Sequence, residues 1–124
     1  MRIEDVDMST WRWPNFTPYE VGCKDGTIVI HEPSMDCLQA FRNIRGIPFT
    51  PNSAYRSPAY NASIGGAKHS MHLLGRAYDI PILPNMSREQ IHDTAREVGF
   101  TGFGDYNTFV HIDTGRPRYW DLRT

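Results

Sequence analysis

Between residues 33 and 44, apolar side chains recur at helical spacing: Met35, Leu38, Phe41 and Ile44 stand three apart, and Gly46 lies just past them. That stripe predicts an amphipathic helix packed on a sheet and closed where glycine adopts a left-handed cap most cheaply. A second stripe, Ile91, Ala95 and Val98, follows Ser87-Arg88-Glu89-Gln90 and stops before Gly99, which predicts a second helix opened by a capping box. Thr17-Pro18-Tyr19-Glu20 has the same opening, with proline at the first helical position, and Pro58 to Ile64 reads as a short helix. The period changes to two in Phe109-Val110-His111-Ile112-Asp113, which puts Phe109, His111 and Asp113 on one face and Val110 and Ile112 on the other. Further strands are expected at Phe49–Ala54 and about 102–105, and Gly65-Gly66 reads as a break. Helices segregated from short strands argue for an α+β domain, a central antiparallel sheet flanked by helices.

Composition narrows the classes. A chain of 124 residues has room for one core, so a single domain is expected, with residues 1–14 as an N-terminal extension and a monomer as the working state. A net charge of −1 from 13 basic and 14 acidic residues, without a block of like charge, removes the footprint of a nucleic-acid binder. No stretch reaches the ~18 apolar residues of a membrane span. Met1-Arg2-Ile3-Glu4-Asp5-Val6-Asp7 is acidic and lacks the apolar core of a signal peptide, so synthesis in the cytoplasm without Sec export is expected. Cys23 and Cys37, in a chain read this way, are expected to be free thiols.

The chemistry concentrates in Ser70-Met71-His72-Leu73-Leu74-Gly75-Arg76-Ala77-Tyr78-Asp79-Ile80 and in His111. Gly75 allows a sharp turn between His72 and Asp79, and Ala77 and Asp79 then alternate along a strand entered from it. His72, Asp79 and His111 therefore read as three ligands of one zinc ion, since imidazole and carboxylate suit zinc and a catalytic site keeps its fourth position for water or substrate. Taken alone, His72 would be an ordinary histidine; the constellation carries the reading.

Ser70-x-His72-x-x-Gly75-x-Ala77-x-Asp79 resembles the SxHxxGxAxD signature of zinc D-alanyl-D-alanine carboxypeptidases and related peptidoglycan peptidases, a zinc scaffold shared with hedgehog domains. The likeness extends upstream to Asn52-Ser53-Ala54-Tyr55-Arg56-Ser57-Pro58 with Asn61, and downstream through Gly102-Phe103-Gly104 and Phe109-Val110-His111-Ile112-Asp113 to Trp120. It implies one Zn2+ per chain, hydrolysis of peptide bonds in bacterial cell-wall peptidoglycan, Arg56 at the substrate's carboxylate and Ser70 as a second substrate-binding group. Small single-domain versions, bacterial or phage-encoded endolysins acting on the wall after release, are the nearest in kind. Carboxypeptidase and stem or cross-link endopeptidase activities all use this scaffold.

The general base departs from better-known relatives, which place an acid three residues or a histidine two residues before the third ligand. Thr108 and Phe109 stand at those positions here. Asp113, on the face of His111 and about 6–7 Å further along the strand, is the expected catalytic carboxylate. A carboxylate that orients a ligand imidazole would use the same residue type, and a shifted register would make Asp113 itself the third ligand. His69 is expected to face solvent, Tyr106 to pack rather than to donate to an oxyanion, and Trp11, Trp13 and Trp120 to close the core rather than line a cleft. His31 precedes a helix and His92 is read on the outer face of one, both outside the ligand spacing. A zinc-stabilised binding module without catalysis is the alternative; retention of Arg56 and Ser70 favours the hydrolase.

Overall fold

A computed structural model describes residues 1–124. Four α-helices, α1 (Pro18–Val21), α2 (Glu32–Arg45), α3 (Pro58–Ser63) and α4 (Arg88–Val98), accompany one sheet of β1 (Ala77–Pro81), β2 (Gly102–Asp105), β3 (Phe109–Asp113) and β4 (Arg118–Asp121). The helix starts follow the sequence signals: Thr17 and Ser87 form reciprocal capping boxes with Glu20 and Gln90. At α2 the cap is the imidazole of His31, whose Nδ1 accepts from Ser34 N, and Gly46 closes the helix in the left-handed region. Met35, Leu38 and Phe41 of its stripe are buried, whereas Ile44, in the last turn, is exposed.

The sheet order is β1-β3-β2-β4, with β3 antiparallel to both neighbours and β4 parallel to β2. The expected antiparallel sheet is thus a mixed one. The chain leaves β3, passes the start of β2 at Thr101, whose carbonyl accepts from Arg118 N and whose hydroxyl bonds Gly115 O, and lays β4 on the far edge. Phe49–Ala54, expected as a strand, forms no ladder: Ser53 alone bridges Asp79.

Alternation gives the sheet two unlike faces. Tyr78, Ile80, Val110, Ile112 and Phe103 face the helices and join Met35, Leu38, Phe41, Ile91 and Ala95 in the core. Burying a side chain of this size contributes about 1.5–3 kcal/mol. The other face carries two rows across the strands: Asp79, His111, Gly104 and Trp120 in one, and Ala77, Asp113, Gly102 and Arg118 in the next. Residues 1–14, read as an extension, pack on this unit; Ile3 and Trp13 are in the core, and Arg2 bridges Thr27. Cys23 and Cys37 are free, and no helix is long and apolar enough to cross a membrane.

Candidate metal centre

Three elements converge on one point. His72 sits in a 3₁₀ turn, Met71–Leu74, that Ser70 caps by accepting from His72 N at 3.1 Å. Gly75 ends the turn at φ 68°, and a Cβ there would stand 2.5 Å from Val29 O, so both the backbone conformation and the space call for glycine. Asp79 and His111 are direct cross-strand partners in β1 and β3, which places their side chains about 5 Å apart at the base and on the same face.

The donor atoms meet closely and out of water. Asp79 Oδ1 lies 3.2 Å from His72 Nε2 and 3.2 Å from His111 Nδ1, and all three residues are buried. The remaining ring nitrogens fix the tautomers. His72 Nδ1 bonds the Ala54 carbonyl at 2.6 Å and His111 Nε2 bonds Asp113 Oδ2 at 2.7 Å. A carbonyl and a carboxylate only accept, so these nitrogens carry protons, and a ring that holds no second proton turns its lone pair toward Asp79. With both rings in that neutral form three acceptors face one another, an arrangement that a cation satisfies when bound and a second ring proton satisfies when it is not. Donors bound about 2.0–2.1 Å from a tetrahedral zinc stand roughly 3.3 Å apart; Asp79 Oδ1 stands 3.2 Å from each imidazole nitrogen, and the three donor atoms all lie within 4.8 Å of one another. The donor set fits zinc.

Around this triad lies an outer ring of contacts. Arg56 reaches Asp79 Oδ2 through Nη2 at 3.4 Å, while its Nε donates to Ser53 Oγ and its Nη1 to Asn61 Oδ1. Burial opposes the charge of Asp79, but hydrogen bonds from His111 and His72 outweigh it and hold the carboxyl well below the usual range. Asp113 is fully buried behind His111. Its two oxygens accept from His111 Nε2, from Arg118 Nη2 at 2.9 Å and from Gly115 N at 2.9 Å. Burial alone would raise its pKa, and the His111 hydrogen bond turns the balance downward, so the group stays ionised. His111 is shifted upward: burial disfavours its charge, but Asp113 and Asp79 more than compensate.

A cleft of about 920 Å³ opens in front of the triad, lined on one side by the Gly65–His72 segment and on the other by Tyr106, Phe109, Arg118 and Trp120. Arg56 and Ser70 both line it, as does His69; Asp113 does not. Five cations, Arg56, Lys68, Arg76, Arg116 and Arg118, face Asp79 as the sole acid. On a chain of net charge −1, that concentration favours an anionic occupant.

A scan against protein-family models matches residues 14–113 to the description "Peptidase M15". The chain belongs to the peptidase M15 family. Among curated relatives it is similar to the zinc D-Ala-D-Ala carboxypeptidase of Streptomyces albus G, at 34% identity over 89 residues, covering 67% of this chain and 34% of the relative. It is also similar to the probable peptidoglycan L,D-endopeptidase MepK of Haemophilus influenzae, at 32% identity over 104 residues, covering 73% of this chain and 55% of the relative. The chain thus spans between a third and a little over half the length of these relatives.

The sequence reading misplaced one cleft residue and left a second unassigned. Trp120, expected in the core, lies with its ring 4.9 Å from that of His111, and Arg118 stacks 4.5 Å from the Trp120 ring while bonding Asp113. Both reach over β2 because Gly102 and Gly104 leave a lane: a Cβ on Gly104 would be 2.3 Å from Trp120 Cε2, and one on Gly102 would be 2.1 Å from Asp113 Oδ1. The matched alternation Gly102-x-Gly104 and Arg118-x-Trp120 is the signal that carries this. His92, placed outside the chemistry, bonds Asp105 at 2.7 Å and stacks on Phe103, on the helix side of the sheet.

Proposed function

We propose that this chain is a zinc-dependent peptidase that hydrolyses peptide bonds in bacterial peptidoglycan, with His72, Asp79 and His111 as the metal ligands. The observation that carries the reading is the convergence of His72 Nε2, Asp79 Oδ1 and His111 Nδ1 at the floor of a cationic cleft. A bound zinc ion would lower the pKa of a coordinated water toward ~7 and act as a Lewis acid. Membership of the M15 family and the activities for which its relatives are named support the substrate class.

The chain's own residues supply positioning. Ser70 accepts from His72 N, which leaves its hydroxyl hydrogen free to donate to the peptide in the cleft. Arg56 both holds Asp79 in place and lines the cleft, and a guanidinium pairs with a carboxylate through a planar fork that lysine lacks. Wall peptides, with their free carboxylates, suit the surrounding cations. Asp113, proposed from the sequence as the general base, is better supported as the carboxylate that fixes the His111 tautomer, since all its contacts run to His111, Arg118 and Gly115.

Defined wall peptides offered to the zinc-loaded protein test the substrate class by mass spectrometry. One bond cut at a single site, absent with chelator and restored by zinc, is the expected result; intact D-Ala-D-Ala, L-Ala-D-Glu and cross-linked peptides would overturn it.

A further inference from the structure

The cleft holds a phenol whose hydrogen is uncommitted. Tyr106 follows β2 and lines the cleft, its ring stacked on Phe109 at 4.5 Å between centroids and 10° between planes. The indole Nε1–H of Trp120 donates to its hydroxyl oxygen at 3.0 Å. Trp120 is itself seated over Gly104 and against His111, so the phenol is held one indole away from a metal ligand. A tyrosine hydroxyl has one hydrogen to give. No acceptor in the chain receives it, and the oxygen side is occupied by the indole, so the hydrogen is left to whatever fills the cleft. The donor is fixed before substrate arrives: Phe109 sets the ring plane, Trp120 the hydroxyl, and Arg88 bonds the Tyr106 carbonyl at 2.6 Å.

We propose that Tyr106 is a transition-state hydrogen-bond donor, giving its hydroxyl hydrogen to the substrate oxygen that gains negative charge when the scissile carbonyl is attacked. This rests on the peptidase reading above. No proton is transferred: the O–H bond stays intact and the phenol remains neutral. A donor fixed in advance stabilises that developing charge without reorganisation.

Tyr106→Phe removes the hydroxyl and keeps the stack on Phe109. Loss of one such donor lowers kcat by about 10²-fold, with KM nearly unchanged. Binding of a phosphinate peptide, whose tetrahedral phosphorus mimics the attacked carbon, should weaken by a similar factor, while a non-cleavable ground-state peptide binds as before. Zinc content and Tm of the variant confirm that the fold is retained. Trp120→Phe deletes the indole–phenol hydrogen bond but leaves the hydroxyl, so it loosens the donor without removing it and should cost less kcat than Tyr106→Phe. Phosphinate and ground-state peptide affinities that fall together in Tyr106→Phe would mark a merely structural role and overturn the proposal, as would unchanged kcat and phosphinate affinity in that variant. A wild-type protein that cuts no wall peptide would instead sink the peptidase reading, and this inference with it.

Discussion

Replacing Asp113 by Asn separates the two jobs its position allows. The side chain keeps its shape but loses its charge and one acceptor, in a place with no access to water. Oδ2 accepts from both His111 Nε2 and Arg118 Nη2, and Oδ1 from Gly115 N. An amide satisfies only one side. With its oxygen toward His111, the new NH2 meets the Gly115 N–H; with its NH2 toward His111, it pushes the imidazole proton to Nδ1, the atom that faces Asp79. Either arrangement loses a hydrogen bond to a charged group, typically about 1.5–3 kcal/mol, and orienting partners of this kind commonly change metal affinity by about 10–100-fold. Competition with a calibrated chelator should therefore show zinc bound 10–100-fold more weakly by Asp113→Asn, with activity recovering as zinc is raised. Unchanged zinc affinity together with abolished turnover at saturating zinc would refute the argument and return Asp113 to the role of proton acceptor.

Gly104→Ala places a methyl group where the Trp120 ring lies, 2.3 Å from Cε2. Expelling the indole should lower Tm by the equivalent of about 1–3 kcal/mol and reduce turnover while zinc stays bound; unchanged activity and tryptophan emission would show that the ring does not need this seat. Zinc affinity should fall with acidification, because His111 must lose its proton to bind and its pKa is raised by Asp113 and Asp79. The linkage has the opposite sign in the metal-free protein. A raised folded-state pKa stabilises fully below the unfolded value of about 6.5 and is lost as pH rises through the folded value. Calorimetry across that window should find metal-free Tm falling with pH and the gain from zinc growing; a flat profile in both forms would contradict it.

The legible parts of the sequence were those where one residue type does one local job. Thr17, Ser87, Gly46 and Gly99 marked helix ends through their own backbone bonds, and the period of two around His111 placed Val110 and Ile112 in the core. His72, Asp79 and His111 were likewise readable, since a turn and two alternating strands suffice to aim them at one point. What escaped depends on pairings distant in the chain. β4 is short and polar, and its partnership with β2 is visible only once Arg118 and Trp120 are matched to the gaps at Gly102 and Gly104. Asp113 shows the same limit: its face was predicted, but Arg118 and Gly115 enclose it behind the imidazole. His92 was misplaced for the converse reason, since a polar residue on a helix was read as exposed while the Asp105 carboxylate draws it inward.

Hydrolysis of wall peptides by a zinc ion held at His72, Asp79 and His111 is the proposal on which the other predictions depend. Its most direct test is release of soluble fragments from purified peptidoglycan, followed by mass spectrometry for the zinc-loaded protein, the chelated protein and folded His72→Ala. The account predicts peptide-bond fragments from the zinc-loaded protein, none after chelation until zinc is restored, and none from His72→Ala. A folded protein with one zinc bound that leaves several wall chemotypes intact would contradict it.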